Sequence, residues 1–486
     1  MRLKDALGTT AVVLLLWAGG STLVDVDVWH QMALTRAALA AGRLPTRDLF
    51  AYTPTVQPLV HHEWGSGAIL YAVGRFAGLP GLQILRLALA GVVVGFAIAT
   101  ARRRGASVGT MILLGPLAAM MGWIGLTAVR AQLYTLAFLA ALLWSLERDR
   151  QGVRISPWRW IPVFVVWANL HAGFVVGLVF LVVHAVEQWA RGRPIRHLVI
   201  LVTAGTLAAA LNPYGPSYYA YLWYGLRLPR PLITEWRPLW EASGIGIGIV
   251  AVALALALYA LARCGLSAFP GWPLLLLAAY GAVRHERHVS ILAVVWAAYV
   301  PAALSGTPLG RRLRAVFDRW GTMLTVSLLA TSLTLVIVER PWRLQVPGVA
   351  TGHAYGYPVG PERYLREQGL RANVMTPFRA GAYLSWKLFP QVEVSIDSRY
   401  EAAYAPELLA EHLDFFHAAP GWQAIRDRYP TDLILTERGW ESAGALRAEG
   451  RWTLVYEDDT YLLFARPGLS LPYRDRRGET LEGTFP

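Results

Sequence analysis

Acids, imidazoles and indoles gather in two short stretches near the N-terminus of the sequence. The first contains Asp25, Asp27, Trp29 and His30 and follows an apolar run, and the second is His61-His62-Glu63-Trp64. A carboxylate can take the proton of an attacking hydroxyl group. Imidazole and carboxylate groups together are also ligands of divalent metal ions. These stretches are therefore the first candidates for a catalytic centre.

The acids also have a plainer explanation. A charged side chain at the end of a membrane helix is costly unless it is solvated or paired, so Asp25 and Asp27 would simply mark a helix end at the water interface. Two acids so close together, followed by Trp29 and His30 and matched by Glu63, favour catalysis instead. Glu63 is then a second acid or an orienting group, and interfacial solvation explains it equally well.

A metal ion is a further, less favoured interpretation of the second stretch. His62 and Glu63 would hold Mg²⁺, Mn²⁺ or Zn²⁺ against a phosphate, although their spacing is not a standard zinc pattern. Without a metal, His61 and His62 are predicted accessory residues near an acceptor. The sequence predicts no other cofactor.

The composition predicts a polytopic membrane protein. The chain has 486 residues, of which 55% are hydrophobic and 16% are charged, and the apolar residues come in long blocks. The formal net charge of +13 comes from arginine clusters between these blocks, which is a topology pattern and not a nucleic-acid-binding surface. A single cysteine, Cys264, excludes an internal disulfide and a thiolate metal site.

About eleven transmembrane helices are predicted, and every arginine cluster between them falls on one side. The positive-inside rule identifies that side as cytoplasmic, so the N-terminus is inside and the loops carrying the candidate chemistry are outside. The first apolar run is predicted to be a retained helix and not a cleaved signal peptide. The predicted spans lie near residues 8–24, 81–101, 107–126, 131–146, 157–169, 172–190, 197–211, 244–263, 270–283, 289–305 and 320–338.

The outer segments have their own predicted structure. In the first loop, residues 25–80, Trp29–Ala41 and Gly67–Phe76 show helical spacing and are predicted to lie in the membrane interface, with Asp48 as a turn residue between them. Residues 1–338 form the predicted transmembrane module. Residues 339–486 form a predicted extracytoplasmic α/β domain, because strands near 373–376, 392–396 and 432–436 alternate with helices before a hairpin at 452–465.

Three arginines on the predicted outer side run against the positive-inside trend. Arg130, Arg284 and Arg287 are each suited to gripping a lipid phosphate through a forked hydrogen bond. Snorkelling to lipid headgroups is the alternative. These arginines lie at two separate places in the sequence, each beside a short predicted span, which favours phosphate binding over snorkelling.

Four further residues are candidates for acceptor or accessory roles. His171 sits in a break between apolar segments, and a hydrogen-bonded structural histidine is the favoured interpretation. Glu235 precedes Trp236 in an aromatic-rich loop that is typical of an interface belt. Asp397 and Arg399 lie at a predicted strand end, where they form a secondary acceptor site or pair with each other to fix the turn.

The order of these motifs resembles the GT-C superfamily of membrane glycosyltransferases. It is most similar to bacterial relatives of protein O-mannosyltransferases and of the oligosaccharyltransferase catalytic subunit. The specific part is Asp-x-Asp-x-Trp at 25–29, Gly-Arg-Leu-Pro-x-x-Asp-x-Phe-x-Tyr-Thr at 42–53 and His-Glu-Trp at 62–64, with weaker similarity at 130–132, 169–174, 212–215 and 397–399.

The resemblance implies an essential acid just after the first helix, at Asp27 or Asp25, with Asp27 favoured. It also implies a polyprenyl-phosphate-linked sugar as the donor. Relatives often carry Trp-Trp-His after the acid, whereas here Trp29-His30-Gln31 places His30 in an aromatic position.

The leading prediction is an inverting glycosyltransferase in the bacterial cell membrane, acting at the outer face on an unknown glycan, lipid or protein acceptor. Asp27 would be the general base, Asp25 and Glu63 would position acceptor or metal, and the three arginines would hold the donor phosphate. The alternatives are a non-catalytic membrane scaffold with an outer partner-binding domain, or a transporter. Transport needs ionisable groups deep within the spans, which are mostly free of acids.

Overall fold

The computed structural model describes residues 3–230, 233–350 and 355–486. The chain divides into two compact units, each built from two stretches of sequence. The first unit comprises Met1–Thr22 with Leu82–Arg343, and the second comprises Leu23–Gly81 with Leu344–Pro486.

Up to residue 343 the described chain is mainly helical. The helices are α1 (Leu3–Ala18), α2 (Val26–Ala41), α3 (Trp64–Arg103), α4 (Val108–Thr127), α5 (Gln132–Arg150), α6 (Pro157–Leu170), α7 (Phe174–Ala190), α8 (Arg196–Ala208), α9 (Ser217–Arg227), α10 (Gly244–Ala268), α11 (Trp272–Arg284), α12 (Val289–Ser305) and α13 (Pro308–Glu339). Helix α3 is broken at Gly78, whose φ of 58° and ψ of −153° are not helical. The boundary between the units falls just after this break.

Each of the eleven predicted spans coincides with a helix. Among the described residues, four helical segments are long and apolar enough to cross a membrane, namely Trp64–Arg103, Gly244–Ala268, Glu286–Ser305 and Pro308–Glu339, and shorter apolar helices accompany them. The mostly helical, multi-pass membrane architecture is therefore confirmed. The count of eleven crossings and the orientation stay predictions.

Helix α12 is the buried centre of the first unit. It is apolar on all faces, as a helix surrounded by other helices must be. It packs against α4, α10 and α11, and the indole Nε1 of Trp296 donates to the Ala253 carbonyl oxygen at 2.8 Å. Helix α1 packs against α13 and α4. The first unit is thus held by helix packing, as its sequence predicts.

The C-terminal part of the second unit is a six-stranded mixed sheet with helices, which agrees with the predicted α/β layer. Its strands follow the order β2-β1-β3-β5-β4-β6, with β1 parallel to β2 and β3, and β5 antiparallel to β3 and β4. The elements are α14 (Val359–Gln368), β1 (Ala372–Met375), α15 (Phe378–Leu388), β2 (Val392–Val394), α16 (Pro406–Phe416), α17 (Gln423–Arg428), β3 (Leu433–Glu437), α18 (Glu441–Glu449), β4 (Thr453–Glu457), β5 (Tyr461–Ala465) and β6 (Arg474–Asp475).

The first loop folds as part of this second unit. Beyond β2, the loop extends the sheet, because the Val394 N–H donates to the Phe50 carbonyl oxygen at 2.9 Å and the Tyr52 N–H donates to the Val394 carbonyl oxygen at 3.1 Å. Helix α2 packs against α15, where the fully buried Trp29 meets the Tyr383 ring edge-on at 5.1 Å. The sequence-based division placed residues 25–80 with the membrane module, whereas the structure groups them with the C-terminal sheet.

Close packing of α15 gives a test of this unit. A Cβ atom on Gly381 would overlap the Ile396 carbonyl oxygen and reach Thr376 Oγ1. We expect Gly381→Ala to destabilise the protein by about 1–3 kcal/mol, as overpacking does. The control is Gly444→Ala in α18, which is exposed with nothing within 4 Å and gains helix propensity. Thermal unfolding of both variants measures this, and equal unfolding temperatures would contradict the packing of α15.

Candidate functional site

Arg399 lies buried between two carboxylates of the second unit. Its Nε donates to Asp397 Oδ1 at 2.8 Å, and Nη1 and Nη2 donate to the two carboxylate oxygens of Asp48 at 2.7 and 2.9 Å. Asp48 also accepts the backbone N–H groups of Leu49 and Phe50 at 2.8 and 3.2 Å. Asp48 has the turn role that the sequence predicted, and Asp397 pairs with Arg399. The ion pair of Asp48 with Arg399 was not predicted.

One guanidinium serves both carboxylates of this cluster. Burial by itself raises the pKa of Asp397, but the charge and hydrogen bonds of Arg399 outweigh burial and hold that pKa below its ordinary value. Asp397 therefore stays ionised beside a guanidinium that is always charged. The hydrogen bonds of the Arg399 guanidinium to the two carboxylates hold the turn directly after β2 rigid.

His30 and His61 are neutral imidazoles beside this cluster. His30 Nδ1 lies 2.7 Å from the Ser398 hydroxyl oxygen. Burial lowers the pKa of His30 to about 4, against the opposing effect of Asp397. Burial, followed by the charge of Arg399, lowers the pKa of His61 to about 3. At neutral pH both rings are therefore uncharged, and a neutral imidazole can donate a hydrogen bond through one nitrogen and accept one through the other.

The two acids at the start of α2, Asp25 and Asp27, have different surroundings. Asp25 is the N-cap, with extended backbone and only 8% exposure, and its Oδ1 accepts the Asp27 N–H at 3.0 Å. Asp27 lies in the first turn and is partly exposed. The helix dipole favours a carboxylate there. Asp25 thus holds the helix end, and Asp27 presents the more accessible acid.

Glu63 is oriented by the polar face of α2. Gln31 Nε2 donates to Glu63 Oε2 at 2.6 Å, and the Ser66 hydroxyl donates to Gln31 Oε1 at 3.0 Å. His62 Nε2 lies 3.5 Å from Glu63 Oε1. Within the described part of the chain, no group of three or more His, Cys, Asp and Glu residues could hold a metal ion, so His62 and Glu63 supply two ligands at most.

A second cluster lies in the first unit and joins three separated segments. Arg130 forms an ion pair with Glu235, and Arg287 lies over the Trp236 ring with Cζ 4.8 Å from its centroid. Burial raises the pKa of Glu235, but Arg130 and then Arg287 outweigh it and hold that pKa below its ordinary value. Three predicted residues are thus brought together, whereas Arg284 is exposed at the end of α11.

The sequence named Trp236 only as part of an aromatic-rich loop, and it gave His285 and Arg230 no role in this second cluster. His285 Nδ1 lies 2.7 Å from the Trp236 carbonyl oxygen, and Arg230 covers the same indole with Cζ 4.1 Å from its centroid. Gln132 Nε2 donates to the Arg287 carbonyl oxygen at 3.2 Å. The sequence Arg-His-Glu-Arg-His at 284–288 was the available signal, but its partners lie about fifty residues earlier.

His171 has a structural environment. Its Nδ1 accepts the Gly173 N–H at 2.9 Å and lies 2.8 Å from Thr135 Oγ1, which in turn accepts the Trp167 indole N–H at 2.8 Å. These bonds fix the break between α6 and α7. They match the structural interpretation that the sequence favoured over a role in catalysis.

Two groups of solved glycosyltransferase structures share this fold. The oligosaccharyltransferase of Archaeoglobus fulgidus in the apo form aligns with a TM-score of 0.56 at 11% identity, over 96% of this chain and 74% of that chain. The arabinofuranosyltransferase AftD from Mycobacteria aligns with a TM-score of 0.54 at 14% identity, over 96% of this chain and 40% of its own length. A second AftD structure gives 0.53 at 15% identity.

These similarities show that the chain has the GT-C fold. The chain spans only about two fifths of the arabinofuranosyltransferase that it matches. No protein-family profile matches the sequence, and no curated protein is similar to it. The fold is therefore established by structure alone.

The buried histidines predict how stability depends on pH. An unfolded histidine takes up a proton near pH 6.5, whereas folded His30 stays neutral down to about pH 4. Unfolding therefore binds protons in this window, and stability falls as the pH drops from 7 to 5. Asp397 stays ionised throughout, because its pKa lies below 3.8. We expect His30→Gln to reduce this slope by up to about 1.4 kcal/mol per pH unit.

Unfolding temperatures at pH 7, 6 and 5 measure this effect. His417→Gln is the control, because the His417 side chain is 69% exposed in the same unit. An identical pH dependence for wild type and His30→Gln would contradict the neutral, buried state of His30.

Proposed function

We propose that this protein is a membrane glycosyltransferase that moves a sugar from a polyprenyl-phosphate carrier to an acceptor at the outer face of the bacterial cell membrane, with inversion at the anomeric carbon. The GT-C fold supports this assignment. The observation that carries it furthest is the accessible carboxylate of Asp27 in the first turn of α2, next to the capping acid Asp25.

Asp27 is the proposed general base. The acceptor hydroxyl would attack the anomeric carbon from the face opposite the phosphate, forming the new glycosidic bond as the carbon–oxygen bond to the phosphate breaks. The hydroxyl proton would go to Asp27, and the bonding electron pair would leave with the polyprenyl phosphate. Asp25 would hold the backbone of the first turn through its cap, which fixes the direction of the Asp27 side chain.

Glu63, His61 and His62 are proposed to position the acceptor. Glu63 is anchored by Gln31, so one carboxylate oxygen faces the amide and the other lies toward His62. A hydroxyl-rich acceptor suits this mixture of a carboxylate with imidazoles. A divalent ion at His62 and Glu63 would instead need further ligands from substrate or water.

Arg130 and Arg287 are proposed to bind the donor phosphate, with Arg284 as a more exposed third cation. Arginine offers a forked set of donors that matches phosphate oxygens. Glu235 forms an ion pair with Arg130 and is also influenced by the charge of Arg287. An incoming phosphate would therefore have to compete with Glu235, which makes Glu235 a proposed regulator of donor affinity.

Asp397 and Arg399 receive a positioning role in this proposal and not an acceptor-binding one. Their charges are already committed to each other and to Asp48 inside the second unit. That ion pair holds the turn whose Ser398 hydroxyl meets His30.

The test measures sugar release from radiolabelled polyprenyl-phosphate sugars by the purified protein. We expect Asp27→Asn to lower turnover by about 10²–10⁴-fold, because general base catalysis contributes that much. Asp414→Asn is the matched control, since Asp414 is an exposed acid of the same unit. A parallel reaction with chelator decides whether a metal ion takes part.

Two outcomes would count against the proposal. Full turnover by Asp27→Asn would remove Asp27 as the base. No turnover of any common donor by folded wild-type protein would favour a scaffold or a transporter.

A further inference from the structure

The second unit contains a pocket lined mainly by charged side chains. It lies between α2, α14, α15 and residues 484–486, and its volume is about 410 Å³. That volume is within the range of small-ligand sites. Its cations are Arg36, Arg363, Arg366 and Lys387. None of them belongs to the proposed catalytic groups.

Positive charge in the pocket exceeds negative charge. The pocket is lined by one side-chain carboxylate, that of Glu362, which accepts from Arg366 Nε at 2.8 Å. A main-chain oxygen of Pro486 also accepts from Lys387 Nζ, at 3.1 Å. The other three cations donate to main-chain oxygens: Arg36 to Trp386 at 2.5 Å, Arg363 to Glu482 at 2.6 Å and Lys387 to Thr484 at 2.8 Å. Carbonyl groups orient these cations without neutralising them.

Lys387 is a partly buried cation of this pocket. Burial lowers the pKa of Lys387, Glu362 opposes that shift, and Arg366 and Arg36 add to it. Like charges this close favour an anion that neutralises them. Arg36 is also held in place, because its Cζ lies 4.3 Å from the Trp386 ring centroid.

We propose that this pocket binds the anionic group, a carboxylate or a phosphate, of an acceptor glycan. Guanidinium groups pair with either oxyanion through parallel hydrogen bonds. The polar lining suits a hydrated saccharide, whereas a lipid chain would need an apolar wall. The identification of that glycan as the acceptor rests on the proposed function, whereas the binding of an anion does not.

Helix α2 connects the pocket to the proposed base. Arg36 follows Asp27 by nine residues of the same helix, which places it about 14 Å along the axis and half a turn around it. One sugar ring cannot cover that separation. Half a turn places Arg36 on the opposite face of α2 from Asp27, so an acceptor that reaches both must pass around the helix, which requires an anionic oligosaccharide.

The test titrates purified full-length protein with tri-galacturonate and with uncharged maltotriose, using isothermal calorimetry. Binding is expected for the charged trisaccharide and not for the neutral one. Arg363→Gln and Lys387→Gln should each weaken this binding about tenfold, because a hydrogen bond to a charged group is lost. Arg371→Gln, an exposed arginine of the same unit, is the matched control and should leave binding unchanged.

Further titrations distinguish a glycan anion from free phosphate and from a lipid headgroup. They also distinguish failure of the pocket assignment from failure of the catalytic proposal. Inorganic phosphate should compete with the trisaccharide, and phosphatidylglycerol vesicles should bind no better than neutral vesicles. Asp27→Asn should bind normally, so that loss of turnover with intact binding counts against the catalytic proposal alone. Equal binding of both trisaccharides, binding unaffected by Arg363→Gln and Lys387→Gln, or binding to anionic vesicles only would overturn the pocket assignment.

Discussion

The second unit depends on the burial of one guanidinium between two carboxylates. Burying a charge costs several kcal/mol unless it is paired and hydrogen-bonded with good geometry. Arg399 meets that condition with Asp397 two residues before it and with Asp48, 351 residues away in the sequence. Removing either acid would leave a buried charge short of a partner, so the first loop and the C-terminal sheet are constrained to fold together.

This constraint places the rest of the candidate site. The turn held by Arg399 carries Ser398, which meets His30 one turn along α2 from Asp27. The strand before that turn pairs with residues 50–52 of the first loop. The proposed base therefore sits on a helix fixed from both directions, by Trp29 in the core and by His30 at the turn. Catalytic groups need such rigid supports to keep a productive geometry.

Local patterns predicted the helices, the main strands and the turn role of Asp48, because periodicity and turn chemistry act over a few residues. They also offered the pairing of Asp397 with Arg399, two positions apart, as the alternative to an acceptor site. The partner of Arg399 at Asp48 could not be predicted, because nothing in one sequence marks a contact across 351 residues. For the same reason, the sequence placed residues 25–80 with the membrane module, whereas the structure groups Leu23–Gly81 with the C-terminal sheet.

The arginine cluster of the first unit shows the same limit. The sequence identified Arg130 and Arg287 separately, as arginines on the predicted outer side. Their grouping around Glu235 and Trp236 depends on helix packing. The sequence also treated Arg284 and Arg287 alike, and only the structure separates the exposed residue from the one that lies on an aromatic ring. Residue types were predictable, and their grouping was not.

A double-mutant cycle on Asp48 and Arg399 tests the central constraint most directly. The free energy of unfolding would be measured by denaturant titration for wild type, Asp48→Asn, Arg399→Gln and the double variant. The buried pair predicts a coupling energy of about 1–3 kcal/mol. The exposed pair Asp432–Arg466, with side chains 29% and 49% exposed, should give less than about 1 kcal/mol in a parallel cycle. Equal coupling in the two cycles would contradict the account, because Arg399 would then not join the first loop to the sheet.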